Sequence, residues 1–464
     1  MTQAESMSNV DRAWLRMERP KNPMVVIGLL ITSRPLPYAA LRQVVTERFL
    51  AFERFRCVPV TDALAGRWVP AEQFNLDDHV LRIALPAPAG KCELEALAGE
   101  LASTPLNSGR PRWSFHLIEH YRGGSALIIR IHHSYADGVA LMHVLAMLTD
   151  EDTGVAAGTP SSIPGGPAAR SRQASGLLPG SLRAYADLLE KGVHFALHPL
   201  EAVTATRETI NLAAEIARLG LLLPDDTPTR LKLPLSGVKH VAWGEPLVLE
   251  EVRTVGRVLG CTVNDVLIAT LAGAIGRYLD AKGERTSGIT IRAAAPVNLR
   301  PASDLPFDLG NYFGLAFVDL PIGIRHPLQR LYAVHGTMEA LKLSAQAWAV
   351  FELFSLVGSL PAAVEEAAIA LFSAKASLVA SNLRGPGRPL HLAGAPISQL
   401  LFWVPQTGGI GTGVSMFTYQ DAVQFGVVAD RRLIPDPSEL VSIIQTEFDR
   451  LVFLVLLGGG SLLD

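Results

Sequence analysis

The stretch GGSALIIRIHHSYADGVALMHVLAML, residues 123 to 148, constrains the fold most. A Gly-Gly turn leads into an apolar run with strand character, ending near His133. Gly138 opens a second apolar run, long enough for a helix. A strand therefore passes into a helix through a short polar turn. That turn carries two adjacent histidines, His132 and His133, and an aspartate, Asp137.

Other segments carry the same two periods. PYAALRQVVTERFLAF has helical spacing. In TVNDVLIATLAGAIGRYLDAKG the spacing is helical again, with Thr262 as N-cap, Asp265 at the third position and Gly283 beyond the end. GITIRAAAPVNLR, SLVASNLRGPGRPLHLAG and DAVQFGVVADRRLIPD read as strands with Gly/Pro turns, and a last helix runs from Pro437 towards Leu456. Helices and strands mix in both halves, so the class is α/β or α+β. After Asp150 the chain turns rich in Gly, Pro, Ser and Ala with no apolar period, which marks a linker. The expected organisation is residues 1–150, a linker with connecting helices over 151–227, and a second folded region over 228–464.

With 464 residues, 49% of them hydrophobic and only 18% charged, the chain can bury a large core with apolar surface to spare. That surplus fits a greasy tunnel, a membrane-facing patch or a wide domain interface. A net charge of -3 favours no nucleic acid partner. Three cysteines, Cys57, Cys92 and Cys261, lack metal spacing and cannot all pair, which argues for a reducing compartment. The first residues lack a secretion-signal pattern, and no apolar run reaches the ~20 residues of a spanning helix.

On a strand end, His132 and His133 point to opposite faces, so only one of them serves a shared cavity. A histidine there is well placed as a base, because its ordinary pKa near 6.5 lets it take a proton at neutral pH. Asp137 is placed to cap the following helix or to act through an arginine or the loop backbone. Satisfied core histidines are the competing reading. A metal site is weaker because the two side chains diverge and no further ligands cluster nearby. No G-x-S-x-G elbow supplies a triad nucleophile.

HHSYADG fits the HHxxxDG motif of acyltransferases that use thioesters of coenzyme A or of carrier proteins. The blocks SNVDRAWLRMERPKNPM, TPLNSGRPRWSFHLIEHYRGGSALIIRIHHSYADG, VNDVLIATLAGAIGRYL, PVNLR, Gly310-Asn311, SNLRGP and FGVVADRRLIPD follow in order. Together they resemble the bacterial wax ester synthase/diacylglycerol acyltransferase family over almost the whole chain.

The resemblance implies two domains like chloramphenicol acetyltransferase with a tunnel at their junction. It implies His133 as general base, His132 as secondary, Asp137 as structural support, and Asn264 as an oxyanion donor or organiser. The implied reaction moves a fatty acyl group from acyl-CoA to diacylglycerol or a long-chain alcohol, giving triacylglycerol or wax ester. It needs no cofactor or metal, and the implied location is the cytoplasm, at the inner membrane face or lipid inclusions. Acyl transfer or condensation from a carrier-protein thioester stays open, as does a non-catalytic lipid-binding or droplet protein. Arg112, Val25, Arg384 and Tyr135 depart from the family's usual residues and bear on acceptor preference.

Overall fold

The computed structural model describes residues 5–62, 65–151, 223–300, 309–359 and 362–458. Strands and helices are numbered along the chain. One seven-stranded sheet runs in the order β5 (Val80–Arg82), β6 (Trp113–Tyr121), β7 (Gly124–His132), β2 (Val25–Thr32), β15 (Ala395–Trp403), β14 (Leu390–Leu392), β8 (Asp150–Glu151). A second runs β10 (Leu247–Val248), β17 (Ala422–Asp430), β16 (Thr412–Tyr419), β13 (Leu378–Arg384), β11 (Ile291–Asn298), β12 (Phe313–Leu320), with β9 (Lys239–Trp243) also paired to β17. A small sheet joins β1 (Glu5–Ser6), β4 (Gly66–Pro70) and β3 (Cys57–Thr61). The helices are α1 (Asn9–Arg16), α2 (Tyr38–Val44), α3 (Lys91–Ser103), α4 (Gly138–Leu148), α5 (Leu249–Val258), α6 (Val263–Ala281), α7 (Pro327–Lys342), α8 (Gln346–Ser359), α9 (Ala362–Ala374) and α10 (Pro437–Gly458).

The mixed α/β class is as the sequence patterns imply. The boundary at residue 150 divides the chain but not the sheets. β15, from the C-terminal half, pairs antiparallel with β2, Leu401 opposite Leu29 and Phe402 opposite Gly28. β15 thereby extends the ladder of the first sheet, and its apolar residues Leu400, Leu401 and Trp403 are buried. The linker and connecting helices expected over 151–227 fall, for residues 152–222, outside the described residues.

α6 is the central helix of the C-terminal core, buried along nearly its whole length and packed on α10. Its start carries the capping box expected from the sequence: Thr262 Oγ1 accepts from the Asp265 N–H at 3.2 Å, and Asp265 Oδ2 from the Thr262 N–H at 2.8 Å. A cap of this kind is worth about 1 kcal/mol. The helix expected from Pro37 onwards is α2, continued by a π-helical turn over Val45–Phe49.

Helix α8 is pressed against both α1 and β12, and two glycines make room. A Cβ on Gly358 would sit 1.9 Å from the Asn9 carbonyl oxygen, and one on Gly314 1.7 Å from that of Ala347. These close approaches bring α1, β12 and α8 around the end of β7.

Candidate active site

β7 is built from Leu127, Ile128, Ile129 and Ile131, β-branched or large residues that suit a strand buried on both faces. Its register fixes the motif. Val25 lies opposite His132, and one residue on, the His133 N–H donates to the Met24 carbonyl at 2.8 Å. The chain then turns, with the Tyr135 N–H donating to the His132 carbonyl at 3.0 Å, and α4 begins at Gly138.

The two histidines diverge, as strand alternation requires. His132 is fully enclosed. Its Nδ1 accepts from the Ser134 N–H at 3.1 Å and lies 2.8 Å from Ser134 Oγ, so the ring proton sits on Nε2, 3.6 Å from Glu18 Oε1. Glu18 also takes Arg112 at 3.0 Å. Burial, with Arg112 and His133 nearby, holds the His132 pKa well below its ordinary value.

His133 faces the other way, into an aromatic enclosure. Its ring stacks on Trp14, centroids 4.6 Å apart, and tilts against Phe313 at 5.4 Å. Trp14 in turn touches Phe354 of α8. His133 is 8% exposed, and its Nδ1 is sealed from solvent, so the accessible edge of the ring is the Nε2 side. Burial lowers its pKa, while Asp137, its own carbonyl and the Asn311 side chain act in the opposite direction. Burial is the largest of these influences, so the net direction favours the neutral imidazole.

Asp137 has both carboxylate oxygens engaged. Oδ1 caps α4 by accepting from the Ala140 N–H at 2.8 Å; Oδ2 accepts from the Tyr312 N–H at 2.9 Å and pairs with Arg300 at 3.3 Å. Arg300 also donates to the Gly310 carbonyl at 3.0 Å. One buried carboxylate thus fastens the histidine turn to the entrance of β12.

Asn264 is not hydrogen-bonded to this group among the described residues. It lies in the first turn of α6, and its Oδ1 accepts from Asn382 Nδ2 at 2.9 Å. β13, which carries Asn382, reaches the motif where Leu383 approaches Gly138. Next to Asn264, Asp265 accepts from or pairs with His335 at 2.8 Å. Cys261, Asp265 and His335 form a group of three potential metal ligands with atoms within 4.8 Å of one another. There the carboxylate already serves the helix cap.

Two family departures resolve into packing. Tyr135 does not lie over the base: its ring packs on Phe55 and Trp68, and its hydroxyl donates to the Cys57 carbonyl at 2.7 Å. Arg112 is the partner of Glu18 beneath His132. Arg384 is exposed at the end of β13.

The sequence reading assigned no role to Trp14, Asp11, Glu18 or Asn311. A signal was present: Ser8 caps α1 by accepting from the Asp11 N–H at 3.0 Å, a Ser-x-x-Asp start, and Val10 and Trp14 then share a face four residues apart.

The first sheet takes β14 and β15 from the C-terminal half, and its strand β7 ends at the histidine pair. The structure of the wax ester synthase/diacylglycerol acyltransferase from Marinobacter aquaeolei VT8 superposes with a TM-score of 0.69 at 23% identity, covering 98% of this chain and 100% of that one. The first condensation domain of the calcium-dependent antibiotic synthetase gives 0.59 at 14% identity, covering 98% and 96%. Residues 7–267 match the wax ester synthase/diacylglycerol acyltransferase catalytic domain, and residues 309–452 the C-terminal domain of the same family. A probable diacylglycerol O-acyltransferase of Mycobacterium tuberculosis is 29% identical over 412 residues, covering 86% of this chain and 84% of its own. A second relative from that organism, with the same activity in its name, is 30% identical over 431 residues, covering 89% and 88%. The chain belongs to the wax ester synthase/diacylglycerol acyltransferase family and is an acyltransferase.

Proposed function

We propose that this chain transfers a fatty acyl group from acyl-CoA to the free hydroxyl of diacylglycerol, with long-chain alcohols as second acceptors. His133 is the general base. The observation that carries this is its enclosure: Nδ1 sealed, the ring clamped by Trp14 and Phe313, and only the Nε2 edge accessible. The acceptor hydroxyl gives its proton to Nε2 as its oxygen attacks the thioester carbonyl. The tetrahedral intermediate expels coenzyme A as the thiolate, which the imidazolium can reprotonate, and the ester leaves. Such a base typically contributes ~10²–10⁴-fold. The aromatic wall keeps out the water that would otherwise hydrolyse the thioester. Asn264 is the proposed oxyanion donor. With its Oδ1 held by Asn382, its NH₂ is left to donate. The acyl chain lies in an apolar tunnel between the lobes, where each buried methylene is worth ~0.8 kcal/mol.

The proposed location is the surface of the inner membrane leaflet or of a lipid inclusion. Phe453, Leu456 and Leu457 support this, being 58%, 76% and 68% exposed on the last turns of α10. Large apolar side chains clustered on one helix end suit insertion into a lipid interface.

The test is release of free thiol from palmitoyl-CoA with diacylglycerol, with a long-chain alcohol and with neither, each repeated with His133→Ala. Release that needs an acceptor and vanishes in the variant supports the proposal. Release without acceptor means hydrolysis. No release from folded protein points to a carrier-protein donor or to a lipid-binding role.

A further inference from the structure

Behind His133, on the side away from its accessible edge, sits a small buried network that no acyl-transfer step uses. Asn311 Nδ2 donates twice, to the His133 carbonyl at 2.9 Å and to Asp11 Oδ1 at 2.8 Å. The Asn311 backbone N–H donates to the same Asp11 oxygen at 3.1 Å. Asp11 and Asn311 are each 2% exposed, and Arg54 stands 3.7 Å from the other oxygen of Asp11. This bonding fixes the amide: turned over, it would set its oxygen against a carboxylate and a carbonyl, an arrangement with two acceptor–acceptor clashes. Asn311 Oδ1 therefore has one direction available. It is buried and unpartnered in full hydrogen-bond geometry, and so is the neighbouring His133 Nδ1.

We propose that Asn311, its amide oriented by Asp11, is a positioning residue that keeps the His133 ring in one rotamer with the proton on Nδ1. It holds the residue at two points, the backbone carbonyl and the flank of Nδ1. A base used through Nε2 needs Nδ1 to carry the proton, and a buried donor needs an acceptor. The two atoms are complementary, donor and acceptor, and the Asn311 side chain already acts on the His133 ring together with the residue's own carbonyl. Because Asp11 belongs to α1 and Asn311 precedes β12, the same contact ties the tautomer to the packing of α1 against the entrance of β12.

The proposal rests on His133 being the base, and its test separates the two ideas. Ring ¹⁵N spectra of histidine-labelled protein, assigned with His133→Ala, read the His133 tautomer without any turnover. The native protein is expected to show the Nδ1–H form, and Asn311→Ala a mixture of forms. In parallel, Asn311→Ala should lower kcat roughly 10- to 100-fold with KM for acyl-CoA within twofold. Asn311→Ser keeps a donor for Asp11 on a side chain too short to reach Nδ1, and should give the same mixture of forms; this variant serves if the alanine protein does not fold. An unchanged tautomer in whichever of the two variants folds overturns the proposal. A His133→Ala protein that still turns over would instead remove the base assignment and leave the tautomer result standing.

Discussion

Trp14 lies face to face with His133, ring centroids 4.6 Å apart and planes inclined by 24°. The two residues come from α1 and from the end of β7, and the stack is held from behind by Phe313 and Phe354. A stacked pair contributes about 0.5–1.5 kcal/mol beyond area burial. Removing it also frees the base to rotate. Trp14→Ala is expected to cut kcat roughly 10- to 100-fold, and Trp14→Phe much less. Steady-state thiol release measures both, and an alanine variant with native kcat would show that the stack does not orient the base.

The two histidines should separate in a paired experiment. His133→Ala is expected to lower turnover by roughly 10²–10⁴-fold with a smaller fall in melting temperature than His132→Ala. His132→Ala empties a fully buried site beside Glu18 and Arg112 and should act on stability first. Thermal unfolding and turnover, measured on the same preparations, distinguish the two.

Asp137→Ala removes a helix cap and a buried carboxylate facing Arg300. Breaking a buried pair typically costs about 3–5 kcal/mol. Asp137→Asn keeps an oxygen for the Ala140 N–H and should lose less. Urea midpoints give the comparison. Residual activity per folded molecule in Asp137→Asn should stay within roughly tenfold of native, because the proton does not pass through this carboxylate.

Three buried histidines should work against the fold in acid over a defined window. Burial, with Arg130 nearby, pushes the His116 pKa down to about 4, and the pKa values of His132 and His133 are lowered by burial too. Their unfolded values lie near 6.5. Below that pH the unfolded chain binds protons that the folded chain refuses. The contribution of these histidines to stability is therefore full above about pH 6.5 and is lost as pH drops towards 4, while Asp11 and Glu365, raised by burial to about 6 and about 7, act the other way. The shift in denaturant midpoint between pH 7.5 and 5, compared between the native protein and His116→Phe, isolates the histidine contribution. For the same reason kcat/KM should rise through an apparent pKa below 6.5 and stay level to pH 8.

Phe453→Ser/Leu456→Ser/Leu457→Ser should weaken cosedimentation with anionic phospholipid vesicles severalfold. Thiol release with a detergent-dispersed acceptor should not change. Undiminished vesicle binding would place the lipid contact elsewhere.

The sequence by itself determined the local geometry. The β7 strand, the polar turn and α4 follow from apolar periods and from Asp137 standing before Gly138, and the start of α6 follows from Thr262 and Asp265 three residues apart. These interactions close within one helical turn or one strand, so their residues are neighbours in the chain and their chemistry can be read from spacing. Strand alternation likewise separates His132 from His133. Only the tertiary structure decided what surrounds the base. Trp14 and Asp11, over a hundred residues before His133, and Asn311, 178 residues after it, arrive through the packing of α1, α8 and β12. The insertion of β15 beside β2 is of the same kind. Hydrophobic burial drives such contacts and is non-directional. A pattern of apolar residues therefore shows that a face will be covered, and the assembled fold alone selects which side chain covers it.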